Sequence, residues 1–215
     1  MPVQFPLDGP CKAIVSMSLS YSIGRRLFSS DTFRKSSLSK YQKGRKLFNF
    51  KVKDTREIDE LDLALVKLEH EPTGAAHWHV ARDDPNCVFC VAFRTPVSDS
   101  TGVPHILERT TLCGSEKYPV RDPFFKMLNR SLASYMNAWT ASEHTAYPFC
   151  TANTTDYANL RDVYYDAVFN PKLEKLDFLQ EGWRLENEDP KNIESPLRFK
   201  GVVYNEMKGV FSDND

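Results

Sequence analysis

The chain has 215 residues, 41% of them hydrophobic, and a formal net charge of -1, which suits one sizeable core with an appendage. No run of about 18 apolar residues occurs, which excludes a helix that spans a membrane. The near-neutral total hides an asymmetry: residues 1–53 carry eleven Lys/Arg against Asp8 and Asp31, and the rest carries 17 basic against 27 acidic residues.

The basic segment also holds nine serines, and from Met17 it reads Met-Ser-Leu-Ser-Tyr-Ser-Ile-Gly-Arg-Arg-Leu-Phe-Ser-Ser. Rich in Arg and Ser, poor in acid and amphipathic, it has the composition of a mitochondrial transit peptide. Pro2, Pro6 and Pro10 forbid an amphipathic helix before Met17. Either Met17 is the working start or the sixteen residues before it are tolerated. A basic arm for nucleic acid or acidic lipid is the competing reading, but it lacks aromatic interleaving and a nucleic-acid-binding signature. Residues 1–49 are therefore expected to be a disordered transit peptide and linker, and residues 50–215 a folded domain.

Leu61-Asp-Leu-Ala-Leu65 alternates, Pro72-Thr-Gly74 turns, His77-Trp-His-Val80 alternates, Asp83-Asp-Pro-Asn86 turns, and Val88 to Phe93 is apolar. These are expected to be adjacent antiparallel strands. His77 and His79 share a strand face and are expected to be a solvent-facing or interface pair, with no third metal ligand nearby. Five scattered cysteines do not make a disulfide framework and suit a reducing compartment. Cys87 and Cys90 form a C-x-x-C inside an apolar strand with no second pair, a core pattern rather than a metal site.

Thr101-Gly-Val-Pro-His-Ile-Leu-Glu-Arg-Thr-Thr-Leu-Cys-Gly114 is the informative stretch. Pro104 can open a helix and Gly114 can close it in a left-handed conformation. His105, Glu108 and Arg109, at i, i+3 and i+4, then project from one face. An H-x-x-E-H helix offers zinc two imidazoles and places a glutamate to polarise a metal-bound water. A guanidinium has no lone pair to donate, so Arg109 cannot complete that set.

Asp122-Pro123 reads as N-cap and first residue of a helix carrying Phe124, Phe125, Leu128 and Leu132. Tyr135–Thr140 and Glu143–Phe149 are strand-like. Thr155 can cap a helix to about Phe169 with Leu160, Val163, Tyr164 and Ala167 on one stripe. A further helix covers Leu173 to Gly182, and Phe199 to Phe211 is an amphipathic segment presenting Glu206.

His105-Ile-Leu-Glu-Arg109, Thr110 to Pro119, Arg121-Asp-Pro-Phe-Phe-Lys-Met-Leu-Asn-Arg-Ser-Leu132, Asn137-Ala-Trp-Thr140, Tyr147-Pro-Phe149, Gln180-Glu-Gly-Trp-Arg184 and Phe199 to Gly209 together resemble the pitrilysin family of zinc metallopeptidases. The resemblance implies an α+β fold, an antiparallel sheet with helices packed on one face, as in the metallohydrolase domains of pitrilysin and the mitochondrial processing peptidase. It covers only the first quarter or so of a family protein, so the domain is expected to be incomplete at its C-terminal end. It implies a zinc metalloendopeptidase of the mitochondrial matrix that degrades unfolded peptides and cleaved targeting peptides. His105 is implied as first zinc ligand, Glu108 as general base, Glu206 as carboxylate ligand, and Asn137 with Ala138 as the strand edge that binds the peptide substrate.

Position 109 departs from the family pattern, where the second histidine stands. Cys113 cannot substitute, being about 12 Å along the axis from His105 at ~1.5 Å per residue, and His144 occupies a position that is normally not a ligand. Arg109 is instead expected to act as a built-in counterion to Glu108 or Glu206, with zinc weakened or lost. The alternative to a protease is thus a non-catalytic subunit that keeps the fold to bind peptides or a protein partner. Apolar surface that further domains would cover is expected to be exposed, available to such a partner.

Overall fold

A computed structural model describes the backbone of residues 13–19 and the whole of residues 38–212. The chain divides into two compact units, Met1–Pro96 with Ser131–Arg161, and Val97–Arg130 with Asp162–Asp215. Helix and mostly antiparallel sheet together make the α+β class expected from the sequence.

The first unit is a nine-stranded sheet. Its strands are β1 (Ala13–Leu19), β2 (Lys46–Leu47), β3 (Phe50–Ile58), β4 (Leu63–His70), β5 (Ala76–Arg82), β6 (Cys87–Arg94), β7 (Ala133–Met136), β8 (Trp139–Thr140) and β9 (His144–Thr151). They lie in the order β2-β3-β4-β5-β1-β6-β9-β7, with β8 also on β9. Alternation drives the burial: Ala64, Val66 and Leu68 of β4 are buried, as are Cys87, Phe89 and Val91 of β6, because successive side chains point to opposite faces. Val52, Val66 and Leu68 make one cluster with Tyr41, Leu47 and Phe50 around it. Phe89 lies opposite Phe149 of β9, ring centroids 5.1 Å apart.

Two expectations fail here. Part of residues 1–49, expected to be a disordered transit peptide and linker, is structured: β1 pairs with β5 in parallel and with β6 antiparallel, and β2 pairs with β3. Residues 1–12 and 20–37 of that segment lie outside the described residues. As a result β5 and β6 are not neighbours, and the turn at Asp83–Asn86 passes over β1 to join strands two places apart. The physical reason is edge pairing: a strand in that slot satisfies the N–H and C=O rows of both flanking edges, and Ala13, Val15, Met17 and Leu19 supply the period-two pattern of a strand.

The histidines are not solvent-facing. His79 is buried and meets the Tyr41 ring at 5.3 Å, while His77 lies 5.8 Å from the Phe50 ring. Burial first, and then the neighbouring His79, hold the His77 imidazole down at a pKa of about 4. Cys87 is buried and Cys90 half-buried, both as free thiols. Burial pushes the Cys90 thiol up, which disfavours its reactive thiolate form.

The second unit holds α1 (Val103–Thr111), α2 (Pro123–Leu128), α4 (Lys175–Glu181), α5 (Val202–Ser212) and a hairpin of β10 (Arg184–Asn187) with β11 (Leu197–Lys200). Helix α3 (Thr154–Phe169) begins in the first unit and ends in the second. The Asn153 side chain caps α3 by accepting the N–H groups of Thr155 and Asp156 at 3.0 and 2.9 Å, so Asn153, not Thr155, is the cap. Leu160, Tyr164 and Ala167 form its buried stripe.

Helix α2 stops at Leu128, which leaves Leu132 outside it, and its Asp122 N-cap makes no side-chain cap bond. Leu176, Leu197, Phe199, Val210 and Phe211 are exposed. No helix among the described residues is long and apolar enough to cross a membrane.

Candidate metal centre

The centre is built on α1. Its N-terminus is not closed by a side chain: Gly102 takes a left-handed φ of 72° ahead of Val103 and Pro104. A Cβ at Gly102 would stand 3.0 Å from Met207 Sδ and 3.7 Å from Val203 Cγ1. The missing side chain therefore lets α5 press against the start of α1. At the other end Leu112 terminates the helix in right-handed geometry, and Gly114 has no positive φ. The left-handed glycine is thus before the helix and not after it.

A second close approach fixes α4 against α5. A Cβ at Gly201 would fall 2.0 Å from the Gly182 carbonyl oxygen and 2.7 Å from Trp183 Cα. Gly182 in turn sits against Ile106 of α1, which a Cβ there would meet at 3.2 Å. These glycines bring the end of α4, the start of α5 and the inner face of α1 together, and with them the charged side chains.

Glu206 on α5 reaches two side chains of α1. Its Oε2 is 3.4 Å from His105 Nε2, and Arg109 donates to its Oε1 in a charge-assisted hydrogen bond. The other terminal nitrogen of Arg109 lies 4.0 Å from Glu181 Oε2. Glu181 ends α4, is buried, and accepts a hydrogen bond from Gln180 Nε2 at 2.9 Å. Glu108 is buried on the same helix as His105. A cleft of about 570 Å³ in this unit, lined by residues including Cys113, Val120, Arg121, Lys172 and Arg184, has none of His105, Glu108, Arg109 or Glu206 in its wall.

The structure therefore brings His105, Arg109 and Glu206 together, although residues 109 and 206 are 97 apart in sequence. Of the two carboxylates expected as partners of Arg109, Glu108 and Glu206, the guanidinium takes Glu206. Glu181 is the member that the sequence reading missed. Its signal was available: a carboxylate on the same helix as Leu176, Phe178 and Leu179 must find a cation if it is buried.

This donor set does not fit a catalytic zinc. Three protein ligands are required besides water, position 109 has no lone pair to offer, and its guanidinium engages the carboxylate that would be the third ligand. Among the described residues no group of three or more His, Cys, Asp or Glu is arranged to hold a metal ion. The fit of the arginine is itself imperfect, since its Nε is buried without a hydrogen-bond partner, a cost of about 1–3 kcal/mol.

Asn137 and Ala138 belong to the first unit, between β7 and β8. The Asn137 N–H donates to Pro148 O at 3.1 Å, and its side-chain oxygen accepts the Ala138 N–H at 2.9 Å. Asn137 is exposed and lies beside β7, the last strand of the sheet order.

Residues 94–196 match the family model described as Insulinase (Peptidase family M16). The chain belongs to the M16 peptidase family, to which the resemblance of its motifs had pointed. Mitochondrial presequence proteases are among its relatives. It is 58% identical over 191 residues to the one from Schizosaccharomyces pombe, covering 87% of this chain and 19% of that protein. To the one from Danio rerio it is 62% identical over 176 residues, 82% of this chain and 17% of that protein. The chain thus spans about a fifth of the length of the curated relatives it matches. A crystal structure of pitrilysin aligns with 56% of this chain and 13% of its own, at 25% identity and a TM-score of 0.49.

Proposed function

We propose that this chain is the N-terminal part of a presequence-protease-type zinc metalloendopeptidase, which handles unfolded peptides and cleaved targeting peptides in the mitochondrial matrix. In that reading His105 and Glu206 descend from the metal ligands and Glu108 from the general base, while Asn137 and Ala138 offer the peptide a strand edge. The observation that carries it is identity of 58–62% to presequence proteases over most of the chain, in a segment that includes His105 and Glu108.

A second reading is favoured by the ion pair between Arg109 and Glu206: the chain retains peptide binding and has given up hydrolysis. Strand addition rests on backbone hydrogen bonds and needs no metal. The two readings separate in one experiment on the 215-residue chain, its Arg109→His variant and its Asn137→Pro variant. Zinc content is measured by elemental analysis, and binding and cleavage are followed with a fluorescein-labelled basic amphipathic peptide. Cleavage by the unaltered chain supports an active protease. Binding that Asn137→Pro weakens, with no cleavage until histidine is restored at 109, supports the second reading. A peptide that neither binds nor is cleaved by either the unaltered or the Arg109→His chain overturns both.

A further inference from the structure

We infer that Arg109, Glu206 and Glu181 form an ionic brace that has taken over the structural task of a metal, holding α1 to α4 and α5 and closing the centre to zinc. The brace rests on side-chain geometry, and only its description as a replacement depends on the proposed family function.

Three observations converge on it. First, one guanidinium reaches two helices at once: one terminal nitrogen bonds Glu206 of α5, and the other is 4.0 Å from Glu181 of α4. A planar fork with separate donors can serve two carboxylates in different directions, which a lysine cannot do as well. Second, the Glu181 side chain is only 11% exposed. A carboxylate that dry requires a compensating charge, and Arg109 is the cation paired with it. The side-chain amide of Gln180 on its other oxygen, itself accepting from Arg121, completes a chain of donors around Glu181. Third, His105 Nε2 lies 3.4 Å from the second oxygen of Glu206, so both oxygens of that carboxylate face side chains of α1. A metal seeking Glu206 would have to displace the guanidinium and leave Glu181 buried without its cation.

The test is a double-mutant cycle on the full chain in the presence of EDTA, read by urea unfolding. Arg109→Met, Glu181→Gln and Glu206→Gln are each expected to lower the unfolding midpoint. Each double variant with Arg109→Met should cost less than the sum of its singles, a coupling of about fivefold or more in the unfolding equilibrium constant for each pair. Should Arg109→Met not fold, Arg109→Lys takes its place, with a smaller coupling expected because the fork is lost. In parallel, excess zinc is expected to leave the melting temperature of the unaltered chain unchanged and to raise that of Arg109→His. Additive single costs, or zinc stabilising the unaltered chain, would overturn the brace. These readouts involve no peptide, so the brace can fail while the peptide-binding reading stands, and the reverse.

Discussion

Gly201→Ala tests the packing that assembles the centre. The added Cβ would lie 2.0 Å from Gly182 O, 2.6 Å from Gly182 C and 2.7 Å from Trp183 Cα. All three are backbone atoms, so no rotamer change can relieve the overlap. The nearest is roughly 1.5 Å short of ordinary van der Waals separation, and the segments after α4 and before α5 must part by about that much. Overpacking a tight site costs about 1–3 kcal/mol even where side chains yield, and a backbone clash belongs at or above the upper end. With about 2–4 °C lost per kcal/mol in a chain of this size, the melting temperature should fall by roughly 6–12 °C. The same substitution at Gly209 is the control: it lies in α5 with nothing within 4 Å of a Cβ. Gly209→Ala should be neutral or stabilise by up to about 1 kcal/mol, through helix propensity. Thermal unfolding followed by circular dichroism measures both, and the fluorescence of Trp183 reports the crossing locally. A Gly201→Ala protein within about 1 kcal/mol of the unaltered chain would refute the close approach, and with it the account of how Glu181 and Glu206 meet α1.

Two further outcomes are expected. His77, held at about 4 in the folded chain against 6.5 when free, binds its proton more readily once unfolded. Its contribution is therefore complete above about pH 6.5 and is lost as pH falls towards 4, by about 1–3 kcal/mol for a partly buried ring. Urea midpoints at pH 7.5 and 4.5 should differ less in His77→Phe than in the unaltered chain, and an identical difference would refute the assignment. Asn153→Ala removes the acceptor for two N–H groups at the start of α3 and should cost about 1 kcal/mol in chemical denaturation, whereas Thr155→Ala should cost less.

Much of the architecture was readable in the chain because it is local. The turn at Pro72-Thr-Gly74 closes a hairpin whose Gly74 N–H donates to His70 O at 2.7 Å, as its residue types foretold. The stripe Leu160, Tyr164 and Ala167 is buried, as a 3.6-residue period requires. What could not be read was the partnership of distant surfaces. The slot that β1 fills between β5 and β6 is defined by two strand edges far along the chain, and nothing in a basic, serine-rich stretch says which edges will be free.

The centre divides along the same line. Sequence alone determined that His105, Glu108 and Arg109 project from one helix and that position 109 cannot ligate a metal, because helical period and side-chain chemistry are properties of neighbouring residues. Tertiary structure alone decided that the guanidinium turns to Glu206, 97 residues away, and to Glu181, whose carboxylate had no assigned role. That choice depends on glycines at 182 and 201 letting backbones approach where a Cβ would forbid it, and contact between segments so far apart is set by shared burial, which no local period encodes.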